Sequence, residues 1–170
     1  MTDTRRRFEA EALPHLDAAY NFARWLARSE ADAEDIVQDA MLRAFKAFGG
    51  FRGENPKAWL LAIVRNCWLS RMGDPKRKRT LGGEQLETMV SEASDPEEEA
   101  VQSSESRRLQ TLMALLPDEF REVLVLREME DLSYQQIAET LGIPIGTVMS
   151  RLARARGLLR EKWSEAHELR

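Results

Sequence analysis

Apolar residues recur along this chain at intervals of three and four, and no stretch alternates apolar with polar residues as a half-buried strand would. The pattern predicts an all-α protein. A first helix over residues 8–28 carries Leu13, Leu16, Ala19 or Tyr20, Ala23 and Leu26 or Ala27 at helical spacing, and Pro14 marks where its regular part begins. A second, over 31–48, opens on Asp32, Glu34 and Asp35, which suit the positive end of a helix dipole. Its core stripe is Ala33, Val37, Met41, Ala44 and Phe48. Opposite lie Asp32, Asp35, Asp39, Leu42, Arg43 and Lys46, so one leucine stands on a mainly polar face, a modest signal of an interaction surface. A third helix, over 57–72, is apolar on most sides through Trp59, Leu60, Leu61, Ile63, Val64, Trp68 and Leu69, interrupted by Arg65 and Asn66.

Residues 132–159, LSYQQIAETLGIPIGTVMSRLARARGLL, read as two short helices joined by a tight turn. Ser133 is a good N-cap, Ile137, Ala138 and Leu141 form the apolar face of the first helix, and Gly142 ends it by entering the left-handed region cheaply. Pro144 restarts the chain. Ile145, Val148, Leu152, Ala155 and Leu159 then stack as one core-facing stripe, which points Gly146, Thr147, Ser150 and Arg154 outward and leaves Arg151 and Arg156 on its flanks. The expected unit is a helix-turn-helix.

Charge sharpens that picture. Residues 145–160 hold four arginines and no acid, whereas 117–141 hold seven acids and two arginines. A basic helix with Thr and Ser near its N-terminus is suited to a major groove, where Arg takes guanine edges or phosphates. The bland alternative is a solvated arginine face on a helical hairpin, against which stands the Ala138, Gly142 and Val148 spacing that close helix crossing needs. Between the outer segments, residues 73–106 are polar, poor in aromatics and rich in turn formers, with a basic run at 76–79 and an acidic cluster at 95–99. They read as a flexible acidic linker between two small helical domains, residues 1–72 and 107–170.

Composition removes other classes. One cysteine, Cys67, excludes an internal disulfide framework and a cysteine-based zinc site within the chain; on an apolar helix it reads as a core thiol. His15 and His167 lack metal-ligand spacing and are expected at the surface. Neither a signal peptide nor 18 consecutive apolar residues is visible, which leads to the expectation of a soluble, cytoplasmic protein. No cofactor, metal or small-molecule substrate is expected. The carboxylates sit on helix faces without histidine partners, which argues against an enzyme. In the loop FGGFRGENPKAW, Phe48 and Phe51 either plug the core or, beside Arg52, hold an unstacked base. Asn66 in a helix interior wants a partner, whether backbone or base edge. A conventional helix-turn-helix regulator is a rival reading, but no heptad seam or ligand pocket signature supports it.

DAEDIVQDAMLRAFKAF, FRGENPKAWLLAIVRN and LPDEFREVLVLREMEDLSYQQIAETLGIPIGTVMSRLARAR, in that order around an acidic linker, resemble bacterial RNA polymerase sigma factors of the extracytoplasmic-function group, within the sigma-70 family. The resemblance implies that residues 1–72 are region 2, which binds the polymerase clamp helices and melts the minus-ten element. It implies that residues 107–170 are region 4, which reads the minus-thirty-five element and touches the polymerase flap. Asp35, Gln38, Asp39, Leu42 and Arg43 would then meet core RNA polymerase. Phe51, Arg52 and Glu54 would lie in the loop that captures a flipped base, and Arg65, Asn66 and Arg71 would contact the minus-ten strands. Thr147, Ser150, Arg151 and Arg154 would lie against the minus-thirty-five duplex of promoter DNA, with Ser133, Tyr134 and Gln135 near its phosphates. Met149 stands where relatives often have Lys or Arg. The resemblance also implies an anti-sigma factor as partner, and with no extension after the last helix no fused regulatory domain is expected.

Overall fold

The computed structural model describes residues 2–27, 29–72 and 104–168, and every regular element among them is helical. The expected basic run at 76–79, the acidic cluster at 95–99 and nearly all of the linker lie outside the described residues, as does the Arg28 end of the first expected helix.

Four helices form the first domain. α1, Thr2–Glu11, carries the pairs Arg5–Glu9 and Arg7–Glu11 one turn apart. A 3-10 turn, Leu13–His15, separates it from α2, Leu16–Leu26. The single helix expected over residues 8–28 is therefore two. Pro14 has no N–H to give to the preceding turn, so α1 closes with Ala12 N–H donating to Phe8 O and the chain tightens before it continues. Leu13 and Leu16 are exposed rather than buried, because the break rotates them off the face that Ala19, Ala23 and Leu26 bury. α3, Glu30–Ala47, is capped by Ser29, whose hydroxyl accepts from Asp32 N–H. α4, Pro56–Met72, begins on Asn55, whose side-chain oxygen accepts from Ala58 N–H. α2, α3 and α4 pack on one another around Phe22, Ile36, Leu60, Leu61 and Trp68.

The second domain begins with α5, Ser104–Ala114, inside the stretch expected to be linker. α6, Asp118–Leu124, continues as a wider helical turn, Val125–Met129, then reverses at Asp131, a non-glycine at φ 56°. α7, Tyr134–Leu141, and α8, Ile145–Glu168, make the helix-turn-helix, with Gly142 at φ 67° between them. Val148, Leu152 and Ala155 are buried as expected, but Ile145 is 44% exposed at the first turn, where none of the described elements covers it, and Leu159 is half-buried. α5, α6 and α7 all pack on α8.

The two domains touch. α2 packs against α6 and α4 against α7, and the buried apolar residues of both form one continuous core. His15 is accordingly half-buried rather than a surface residue, and burial first, then the Lys57 charge, push its pKa below the ordinary value.

Candidate nucleic-acid interface

Three surfaces hold the residues that the sequence singles out. The first is the outer face of α3. With Ala33, Ile36, Val37, Ala40 and Ala44 turned inward, Asp35, Gln38, Leu42 and Arg43 face solvent, and Leu42 is 61% exposed. Arg43 pairs with Asp39 one turn earlier, at 3.2 Å. The Asp39 charge also bears on the buried Cys67 thiol of α4, whose pKa burial first and then this carboxylate raise. These five residues share one exposed strip, an apolar side chain framed by charges.

The second surface is the loop before α4 and α4 itself. Its members diverge. Phe51 is only 9% exposed: its ring stacks on Phe48 (centroids 5.6 Å apart) and meets Trp59 at 4.8 Å, so it serves the core. A Cβ on Gly53 would approach the Phe51 ring to 2.8 Å, which is why the chain passes over that ring on a glycine. Arg52 is exposed, and its Nη1 donates to Gly49 O and Phe51 O, bracing the loop from outside. Glu54 and Asn66 are exposed. Arg71 reaches back to Asp35 at 3.6 Å and Asp32 at 3.8 Å, joining this surface to the strip on α3. Arg65 points elsewhere, donating through Nε and Nη2 to the Glu122 carboxylate of α6.

The helix-turn-helix is the third and the most regular. Ser133 and Gln136 form a reciprocal capping box, each side chain bonding the other residue's backbone N–H. Arg127 lies 4.8 Å over the Tyr134 ring while its Nη1 donates to Leu132 O, so the first helix's N-terminus is braced from behind. Gln135 is exposed and donates to Glu139. On α8, Ser150 and Arg154 are exposed, Thr147 and Arg151 half-buried, and Met149 exposed between them. Arg154 is held over the Phe120 ring. Arg156 is taken by Glu128 at 2.8 Å, which with Tyr134 raises its pKa and withdraws it from the set.

Sequence reasoning missed Glu122, Glu130 and Lys57, which join the two domains. The available signal was an acid inside the apolar run 120–126, since a buried carboxylate requires a partner. Among the described residues, no group of three or more His, Cys, Asp or Glu is arranged to hold a metal ion, and no helix is long and apolar enough to cross a membrane.

Two helical domains, the second ending in a helix-turn-helix and the first carrying a leucine-bearing strip on α3, are the class of fold on which the comparisons with known proteins bear. Family models agree: Sigma-70 region 2 matches residues 13–78, and Sigma-70, region 4 matches 106–159. The chain is 34% identical over 148 residues to the ECF RNA polymerase sigma factor SigE of Mycolicibacterium smegmatis, an alignment covering 86% of this chain and 58% of that protein. To the ECF RNA polymerase sigma-E factor of Haemophilus influenzae it is 32% identical, covering 79% and 76%. The sigma factor RpoE of Bartonella quintana, solved with the anti-sigma factor NepR, superposes with TM-score 0.71 at 31% identity over 95% of this chain and 96% of that one. The chain belongs to the ECF group of RNA polymerase sigma factors.

Proposed function

We propose that this chain directs promoter-specific transcription initiation as the sigma subunit of RNA polymerase, with residues 1–72 as region 2, 73–106 as the connecting linker and 107–170 as region 4. It works in the cytoplasm and is not itself an enzyme; the catalysis belongs to core polymerase. The α3 strip of Asp35, Gln38, Asp39, Leu42 and Arg43 docks on the clamp helices, α4 and its preceding loop engage the minus-ten strands, and the face of α8 lies in the minus-thirty-five groove while region 4 touches the flap. The observation that carries this reading is the acid-free first part of α8, residues 145–160, behind a fully capped α7, in the same chain as the leucine-bearing strip on α3.

Each domain is nearly neutral, with 11 basic and 10 acidic residues before position 73 and 10 of each after 106, so neither binds DNA strongly through charge alone. Polymerase supplies the remaining affinity by holding both contacts in register, where two weak sites act as one. An anti-sigma factor controls this step. Support comes from the Bartonella relative, which was solved with one bound.

Run-off transcription with purified core polymerase on a pool of genomic promoter fragments tests the proposal. Start sites that require the chain, and that vanish with Asp39→Ala or Arg154→Ala, are the expected result. Absence of initiation together with tight dimeric binding to palindromic DNA would replace it with a conventional helix-turn-helix regulator.

A further inference from the structure

The first three turns of α8 are not basic all round. At about 100° per residue, Thr147, Arg151 and Arg154 fall on one side of the outward face, and Ile145, Gly146, Met149, Ser150 and Ala153 on the other. The arginines of these turns share one half, and the other half carries no charged group. Arg156 lies in line with Met149 about two turns further on, but Glu128 holds it at 2.8 Å. The uncharged half is also short of hydrogen-bond donors: the Ser150 hydroxyl donates to Thr147 O at 3.1 Å within its own helix, which leaves its oxygen as an acceptor. What this half offers is apolar surface. Ile145 is 44% and Met149 53% exposed, and they are the exposed large apolar side chains among the described residues of α8.

A lone exposed methionine is ordinary on a protein surface. Here two large apolar side chains stand one turn apart, about 6 Å along the axis, on the N-terminal turns through which a groove-reading helix meets base edges. Gly146, three residues before Met149, and Ala153, four after it, are small and exposed, and a Cβ at Gly146 would meet nothing within 4 Å. Nothing bulkier on that half holds the backbone away from a groove, so Met149 is the group that reaches furthest. The surroundings set the charge of the occupant: Arg151 and Arg154 lie on the adjoining half and no acid occurs from 145 to 160, which suits a polyanion.

In the major groove G, C and A are told apart by hydrogen-bonding atoms, and the C5-methyl of thymine is the apolar group on offer. A thioether donates no hydrogen bond and accepts only weakly, whereas its flexible, polarisable chain packs well against a methyl group. We propose that Met149, with Ile145 beside it, is a specificity-determining residue that selects thymine in the minus-thirty-five element through that C5-methyl. This rests on the sigma reading above and adds the base that the uncharged half of α8 takes. Arg151 and Arg154 meet phosphates and polar base edges from the other half. Met149 contributes discrimination at one base pair and no salt dependence, because it displaces no counterion from a phosphate.

The test uses the full chain bound to core polymerase. Minus-thirty-five duplexes are selected from a randomised pool, and each thymine of the selected element is then replaced in turn by uracil, which lacks only the methyl group. At the position facing Met149 the replacement is expected to weaken binding about fourfold, the effect of one methyl group removed from an apolar contact. Met149→Ala is expected to bind the thymine and uracil duplexes alike there, with its melting temperature and the salt slope of binding unchanged. Met149→Leu should keep the preference, and Ile145→Ala should narrow it. A selected element without thymine, or equal binding of thymine and uracil duplexes at every position by the unsubstituted chain, would overturn the proposal. So would a preference that survives in Met149→Ala; uniform weakening on both duplexes with the preference kept would place Met149 against a protein surface instead. In each of these cases initiation by the unsubstituted chain leaves the sigma reading standing. A chain that selects no element and initiates nowhere sinks both.

Discussion

The guanidinium of Arg154 lies 5.4 Å over the centroid of the Phe120 ring, so an exposed side chain of α8 proposed to meet DNA rests on an aromatic plate supplied by α6. Such a contact limits the rotamers Arg154 samples before it meets a duplex. Arg154→Ala is expected to weaken binding of the polymerase complex to its minus-thirty-five duplex by about 1–3 kcal/mol if it reads a base edge. Contact with a phosphate alone would instead lower the salt dependence of binding. A double-mutant cycle with Phe120→Leu, read by duplex titration, is expected to show a coupling of about 0.5–1 kcal/mol. No coupling would mean that the ring does not orient the arginine.

Leu42 offers a cleaner separation of binding from folding. At 61% exposed it stabilises the fold little, so Leu42→Ala should leave the melting temperature nearly unchanged. Affinity for core polymerase should nevertheless fall, by about 1 kcal/mol or more if the leucine is buried at the interface. Equilibrium binding to labelled core beside a melting curve checks both halves; an unchanged affinity would remove Leu42 from the docking strip.

The helix-turn-helix depends on two local devices. Ser133→Ala removes the capping oxygen that takes Gln136 N–H and is expected to cost about 1 kcal/mol. Gly142→Ala places a side chain at φ 67° and is expected to cost about 1–2 kcal/mol despite the open space around it. Chemical denaturation of each variant gives the numbers. A neutral Gly142→Ala would show that the turn adopts another conformation.

Gly53→Ala is expected to destabilise the first domain by about 1–3 kcal/mol, because the new methyl group meets the Phe51 ring at 2.8 Å and that ring is already wedged against Phe48 and Trp59. Tryptophan emission and thermal unfolding should move together. If Phe51 instead swings outward without loss of stability, its ring is available to nucleic acid after all.

Cys67 gives the fold a pH signature. Burial first, then the Asp39 carboxylate, push its thiol from the ordinary 9.0 up to about 11. Unfolded chains lose this proton at lower pH than folded ones, so the contribution is intact below about 9 and is lost as pH rises toward 11. Cys67→Ala should therefore show a shallower fall in stability across that window. Native protein should resist thiol reagents that label the denatured chain at once; rapid native labelling would contradict a buried, protonated thiol.

Much of this molecule was legible in one dimension. Helix α3 and the pair α7 and α8 follow from three-and-four spacing, because each buries one face and the sequence must repeat with the helix, while α4 follows from a run that is apolar on most sides. Caps at Ser133 and Gly142 were readable because a hydroxyl that accepts backbone N–H groups and a residue without Cβ have few substitutes there. Family membership followed from three ordered motifs. The break at Pro14 was half legible: the residue announces a boundary, but whether the preceding turns stay in line depends on what packs against Leu13 and Leu16.

Pairings across the chain were decided only in three dimensions. Periodicity assigns Arg65 to a face of α4 and says nothing about Glu122, which lies 57 residues away and meets it through the packing of α2 and α4 on α6 and α7. The same holds for Phe51, equally suited by type to a nucleotide base or a core, until Phe48 and Trp59 close around it. Local spacing is set by backbone geometry that every helix shares, so the sequence determined the elements, their caps and the family. Long-range partners depend on which faces are buried together, and that choice belongs to the tertiary structure.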